Sequence, residues 1–251
     1  YTNKRVRQLN DTIRANMFGF GADKFHEGEM VLMYENLYYN SGEKDYDYPN
    51  GSDNIIKKVT PRNNKQIVNP STGKIYTVKG WELVCGRAKD DSARDNTLFV
   101  ADMNIVDPEY LKDLNALKSA ALKSGISKQE RAVAWSRYYT MASAYLLMDD
   151  VYMYNDKVYT TKESIASQLK QDNPSLTSDQ VNYQVNRLKM KDKSLDYSYA
   201  HTIHKSQGGT YDKVLVDEND INKGRSFQNA DHQMVNQLKY VAFSRSSKQT
   251  I

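Results

Sequence analysis

Val6, Leu9, Ile13 and Met17 recur every three or four residues between polar neighbours. This spacing predicts a helix across YTNKRVRQLNDTIRANMFG, with Gly19 and Gly21 as its stop. Beyond it, the mixed polar and apolar run Glu29 to Tyr34 predicts a strand entered through Gly28. Residues 39–53, YNSGEKDYDYPNGSD, are turn-forming and rich in tyrosine, and are expected to form a surface loop. IIKKV, KQIVNPSTGKIYTVKGWELVCGRA and TLFVADM then read as short strands, with Pro70, Ser71 and Gly73 marking a turn. Short strands with polar turns predict a small barrel or meander of roughly 70 residues.

The period changes at Asp107-Pro108. Leu111, Leu114, Leu117 and Leu122 favour a helix, which Gly125 interrupts. A longer helix is expected from Gln129 to Asp149, crossing Trp135, Tyr138, Tyr139, Ala142 and Leu146, with Asp149-Asp150 a cap or surface pair. Its aromatic positions fit a core stripe better than a nucleic-acid stacking face. Further helices begin near Thr161 and near Thr177, where TSDQ has a capping-box arrangement ahead of Val181, Val185 and Leu188. From Tyr197 the pattern changes again. YSYAHTI and DKVLVDE read as strands, and VNQLKYVAFSRSSKQTI reads as a helix leading to a final strand. The simplest architecture is α/β. One domain is assembled from 1–25 and 195–251, and 26–194 is inserted into it, β-rich over 26–105 and helical over 106–194.

Composition narrows this picture only a little. The 251 residues can bury a core, and one cysteine, Cys85, excludes an internal disulfide or a cysteine-based zinc cluster and fits a reducing compartment. No apolar run reaches membrane-span length. A formal charge of +4 permits a nucleic-acid partner without demanding one. The helix that begins within a few residues of Tyr1 and the abrupt SRSSKQTI ending read as a chain cut at a domain edge.

The densest chemistry lies in HTIHKSQGGTYDKVLV, residues 201–216. Thr202, His204, Lys205, Ser206 and Gln207 precede Gly208-Gly209, a pair that lets the backbone turn sharply or approach a ligand. Hydroxyls, an imidazole and backbone amides can hold phosphate oxygens, and the lysine adds charge. An ordinary polar loop is the bland alternative. Two histidines without cysteine or an organised carboxylate cluster make a poor metal site. Ser206 lacks a nucleophile-elbow context. In YVAFSR, Arg245 follows an apolar segment, where a guanidinium can reach a cleft and stabilise a transferring phosphoryl group. Alone it reads equally as a surface arginine or a structural ion pair.

Taken in order, YTNKRVRQLNDTIR, HTIHKSQGGTYDKVLV and LKYVAFSRSSK resemble the fourth, fifth and sixth motifs of superfamily 1 DNA helicases, with a RecD/Dda-like, 5'-to-3' flavour. GEMVLMYENL and the strands after it resemble the SH3-like insertion of that branch. The resemblance implies a RecA-like second motor domain of a P-loop helicase, interrupted by an inserted SH3-like β-barrel and a helical accessory region. It implies that Thr202, His204, Lys205 and Ser206 contact single-stranded DNA. Gly209 and Thr210 would lie near the nucleotide, Arg245 would be the arginine finger, and Arg5 would also approach the nucleotide. ATP and Mg2+, single-stranded DNA, duplex junctions and a first motor domain are the implied partners. The implied setting is the cytoplasm of a bacterial or phage-infected cell.

No GxxxxGK[ST] phosphate loop with an adjacent acidic strand end occurs in the chain. The 251 residues by themselves are therefore expected to have little or no ATPase activity. A non-catalytic DNA-binding module and a protein-interaction domain are the alternatives.

Overall fold

The computed structural model describes residues 3–40, 45–88, 94–102, 107–206, 210–223 and 232–250. It divides the chain into two compact units, one made of 1–25 with 197–251 and the other of 26–196. Among the described residues, no helix is long and apolar enough to cross a membrane.

The chain opens with α1 (Asn3–Phe18), which ends where Gly19 takes a φ of 91° and donates its N–H to Ala15 O at 3.0 Å. Its apolar stripe is not its buried stripe. Val6 and Asn10 are the buried positions, whereas Met17 is 56% exposed.

The second unit begins with β1 (Met30–Met33), β2 (Leu37–Asn40) and β3 (Asp45–Tyr48), the last two paired antiparallel. The tyrosine-rich stretch expected as a surface loop is thus partly a hairpin. Tyr48 is buried, its hydroxyl donating to Cys85 O at 2.5 Å and accepting from Asn96 N at 2.9 Å. Next come β4 (Asp53–Val68), β5 (Ile75–Arg87) and β6 (Asn96–Ala101). Where several short strands were expected, β4 and β5 form one long antiparallel ribbon, shifted in register at Ile56/Lys58 and Arg62/Lys65. Burial along β5 changes parity. Tyr76, Val78 and Gly80 are buried near the tip, and Leu83 and Cys85 near the base. Gly80 sits at the changeover because the ribbon passes against β6 there, and a Cβ would lie 2.0 Å from Val100 O.

The helical half holds α2 (Pro108–Leu122), capped by Asp107, and α3 (Lys128–Ala142), which starts in a Ser127–Glu130 capping box. After α3 come β7 (Val151–Tyr154) and β8 (Lys157–Tyr159). They are followed by α4 (Lys162–Asp172), α5 (Ser178–Leu188), β9 (Lys189–Lys191) and β10 (Leu195–Tyr197). Thr161 caps α4, and α5 begins in the Thr177–Gln180 box. Helix α3 stops well short of Asp149. Lys191 Nζ donates to the carbonyls of Ala142 and Tyr145, and Leu146 leaves the helix to exchange backbone hydrogen bonds with Phe99 and Ala101. Asp150 accepts from Lys193 N at 3.0 Å and from the Tyr152 hydroxyl at 3.1 Å, which makes it an anchor rather than a helix cap. The main core lies between the ribbon and the helices, with Tyr76, Val78 and Phe99 against Tyr110, Leu114 and Met141. A smaller core joins Ile165, Leu169, Val181 and Val185 to Tyr152.

The expected SH3-like β-barrel is overturned by the sheet order. The five strands run β10-β1-β4-β5-β6 and the sheet is open. Closure would need β6 to pair back towards β10. Instead its outer edge takes only an isolated bridge to Leu146, while β4 and β5 continue as a two-stranded ribbon past it. The part of the RecD/Dda-like resemblance that rested on an SH3-like insertion is thereby withdrawn.

The first unit continues with β11 (Tyr211–Val214), α6 (Glu218–Lys223), α7 (His232–Phe243) and β12 (Ser246–Thr250). β11 and β12 pair in parallel, which requires the intervening helical crossover. Its core is Ile203, Ile221, Val235, Leu238 and Ala242, with the three α7 residues on one helical face. Here too the expectation of a RecA-like sheet needs correction. YSYAHTI does not continue as a strand past Tyr197, and the parallel pairing of this unit is that of β11 with β12. Asn10 takes up the backbone of this segment. Its Nδ2 donates to Tyr197 O at 3.1 Å and its Oδ1 accepts from Ala200 N at 2.8 Å, so a neighbouring strand is not needed. The chain is an α/β protein with open, mostly antiparallel sheets.

Candidate functional site

Within the first unit, α1, the 198–206 segment, β11 and the end of α7 enclose a cavity of about 530 Å³. Leu9, Ile13 and Val216 give it an apolar wall; Arg5, His201, Ser206, Lys213, Asp217 and Arg245 give it polar groups. Arg5 Nε donates to Asp217 Oδ2 at 2.8 Å. Asp217 also accepts from Asp220 N at 3.1 Å, and the Arg5 bond, followed by this one, holds its carboxyl below the usual range.

Arg245 sits just beyond α7, in the turn into β12, where its carbonyl accepts from Tyr211 N at 2.9 Å. The side chain makes local bonds only. Nε donates to Val241 O at 3.1 Å and Nη2 to Ser244 Oγ at 3.0 Å, and among the described residues no carboxylate pairs with it. Lys213 has no acidic partner there either. Once Arg5 and Asp217 neutralise each other, the cavity keeps a positive excess suited to an anion.

The 202–206 segment is a single tight turn. Thr202 O accepts from Lys205 N at 3.0 Å and from Ser206 N at 3.1 Å, and Ser206 Oγ donates to Ile203 O at 2.8 Å. Burial of Ile203 pins this turn to the core. Ser206 faces the cavity, His204 is exposed, and Thr202 and Lys205 are half-buried without lining it. Thr210 is exposed, while Gln207, Gly208 and Gly209 lie outside the described residues. The structure therefore brings Arg5, Ser206 and Arg245 onto one cavity and leaves Thr202, His204 and Lys205 out of its lining.

Two contributors escaped the sequence reading: Asn10 holds the 197–200 segment, and Asp217 orients Arg5. His201, weighed from the sequence only as a metal ligand, has its Nε2 3.2 Å from Ser198 Oγ. An asparagine on the inner side of a helix whose apolar stripe is sparse was the available signal for the first.

Two guanidinium groups on one cavity fit phosphate oxygens. Among the described residues no group of three His, Cys, Asp or Glu side chains is placed to hold a metal ion. No protein-family model matches the chain, and no curated protein matches it in sequence.

Proposed function

We propose that the chain is the part of an ATP-dependent DNA helicase that grips single-stranded DNA and supplies an arginine to the nucleotide. The observation that carries this is the convergence of Arg5, Ser206 and Arg245 on one positively biased cavity. ATP and Mg2+ would be held chiefly by a phosphate loop outside these 251 residues and would supply the phosphoryl group to be transferred. Arg245 would meet the negative charge that develops on that group, and Arg5, held by Asp217, would be a further nucleotide contact from this cavity. Gly209 and Thr210 are assigned to the nucleotide in this reading by the motif they belong to. Thr202, His204 and Lys205 lie along the DNA backbone, where an exposed imidazole and an ammonium contact phosphate without reading sequence.

Fluorescence anisotropy with labelled single-stranded DNA at two salt concentrations tests the first half. Binding should weaken with salt and weaken further in His204→Ala and Lys205→Ala. The second half is tested in the chain joined to its phosphate-loop partner. There Arg245→Ala should lower kcat by about a thousandfold, with DNA affinity unchanged. A non-catalytic DNA-binding module passes the first test and fails the second. A protein-interaction domain fails both.

A further inference from the structure

Helix α3 places four side chains along one line. Lys128, Arg131, Trp135 and Tyr139 follow at spacings of three, four and four residues, which stacks them on one helical face over roughly 16 Å. The Trp135 and Tyr139 rings are stacked, with centroids 5.6 Å apart and planes at 26°, and Tyr138 abuts both edge-on at 5.5 and 5.2 Å. Trp135 is half-buried against the main core and Tyr138 is buried in it, so the pair stands on a packed base. Tyr139 is 58% exposed, more than its place at the rim of that core requires.

The charge on this line is not neutralised from within. Lys128 and Arg131 are exposed and form no ion pair among the described residues. The helix's only acid, Glu130, is folded back onto Ser127 N at 2.8 Å, and the Ser127 side chain, followed by this N–H, keeps its carboxyl below the ordinary range. No large aliphatic side chain shares the line, since Val133 points to the far side of the helix. Stacked aromatic faces beside unpaired cations, without an aliphatic patch, match unpaired bases on a phosphate backbone rather than a protein surface.

We propose that this face of α3 is a binding surface for single-stranded nucleic acid. Trp135 and Tyr139 stack on bases, and Lys128 and Arg131 hold the adjoining phosphates. It does not rest on the cavity or on any ATPase role, because every residue in it belongs to the other unit.

Trp81 and Trp135 are the only tryptophans, so Trp81→Phe leaves Trp135 as the sole reporter. Titration of that variant with oligo-dT and, separately, oligo-rU should quench its fluorescence saturably; the stronger quencher identifies the preferred sugar. Matched duplex should quench weakly. In the otherwise native chain, Tyr139→Ala and Arg131→Gln should each weaken anisotropy-measured binding by about fivefold or more, with unchanged circular dichroism. Binding without Trp135 quenching, and unaffected by Tyr139→Ala, overturns the proposal. If that binding is still lost in His204→Ala, the helicase reading survives alone. Quenching that persists in His204→Ala supports the α3 surface as a site independent of the loop. Absence of any binding overturns both.

Discussion

Asn10 and Ala200, 190 positions apart, bind each other reciprocally: Ala200 N donates to Asn10 Oδ1 at 2.8 Å, and Asn10 Nδ2 donates to Ala200 O at 3.4 Å. With its further bond to Tyr197 O, the side chain imitates a neighbouring strand for the segment that leads into the polar turn. One buried amide thereby joins α1, which carries Arg5, to the turn that carries Ser206.

Asn10→Ala leaves the Ala200 N–H and the Tyr197 carbonyl without their partner, at a cost of about 2–3 kcal/mol. Urea unfolding should show this as a lower midpoint, with Asn10→Asp no better, because a buried carboxylate oxygen would then face the Tyr197 and Ala200 carbonyls. An unchanged midpoint for the alanine form would sink the role given to Asn10.

Gly80→Ala forces a methyl group to 2.0 Å from Val100 O, where neither backbone can yield cheaply. We expect a loss of more than about 2 kcal/mol. Thermal melts should place this variant far below one altered at exposed Thr77 on the same strand.

Lys191 is buried with its ammonium against two carbonyls and 4.7 Å from the Tyr145 ring centroid. Burial pushes its pKa down from 10.5 to about 8. Between those values the unfolded chain binds a proton that the folded chain releases, so this group makes stability rise with pH across that window. The neutral amine still has two N–H groups for the two carbonyls. Burial pushes the Cys85 thiol up to about 12 from 9.0, which opposes the trend above pH 9. Comparison with Lys191→Met isolates the lysine: the difference in unfolding free energy should change steadily from pH 8 to 10.5, and a flat difference would refute it.

Arg245→Ala should barely alter stability, within about 0.5 kcal/mol, since the side chain bonds only to its own turn. A large drop in Tm would mean that the arginine is structural and weaken its assignment to the nucleotide.

The chain's local chemistry determined much of its secondary structure. The Thr177–Gln180 box, the Asp107-Pro108 start and the Gly19 stop each depend on groups within four residues, so their outcome is written in adjacent letters. Other features were decided only when distant segments met. The α3 helix ends at Ala142 because Lys191 and the edge of β6 claim the backbone beyond it; nothing near Ala142 announces this. The ribbon replaces a barrel because β5 changes its buried face at Gly80, where alternation continues but the packing partner changes. Asn10 is buried ahead of Ile13 because the 197–200 backbone needs its hydrogen bonds more than the core needs another side chain. The same holds for the cavity: Arg5 and Arg245 are recognisable as arginines near apolar runs, but only closure of the chain onto itself puts both in the lining of one cavity.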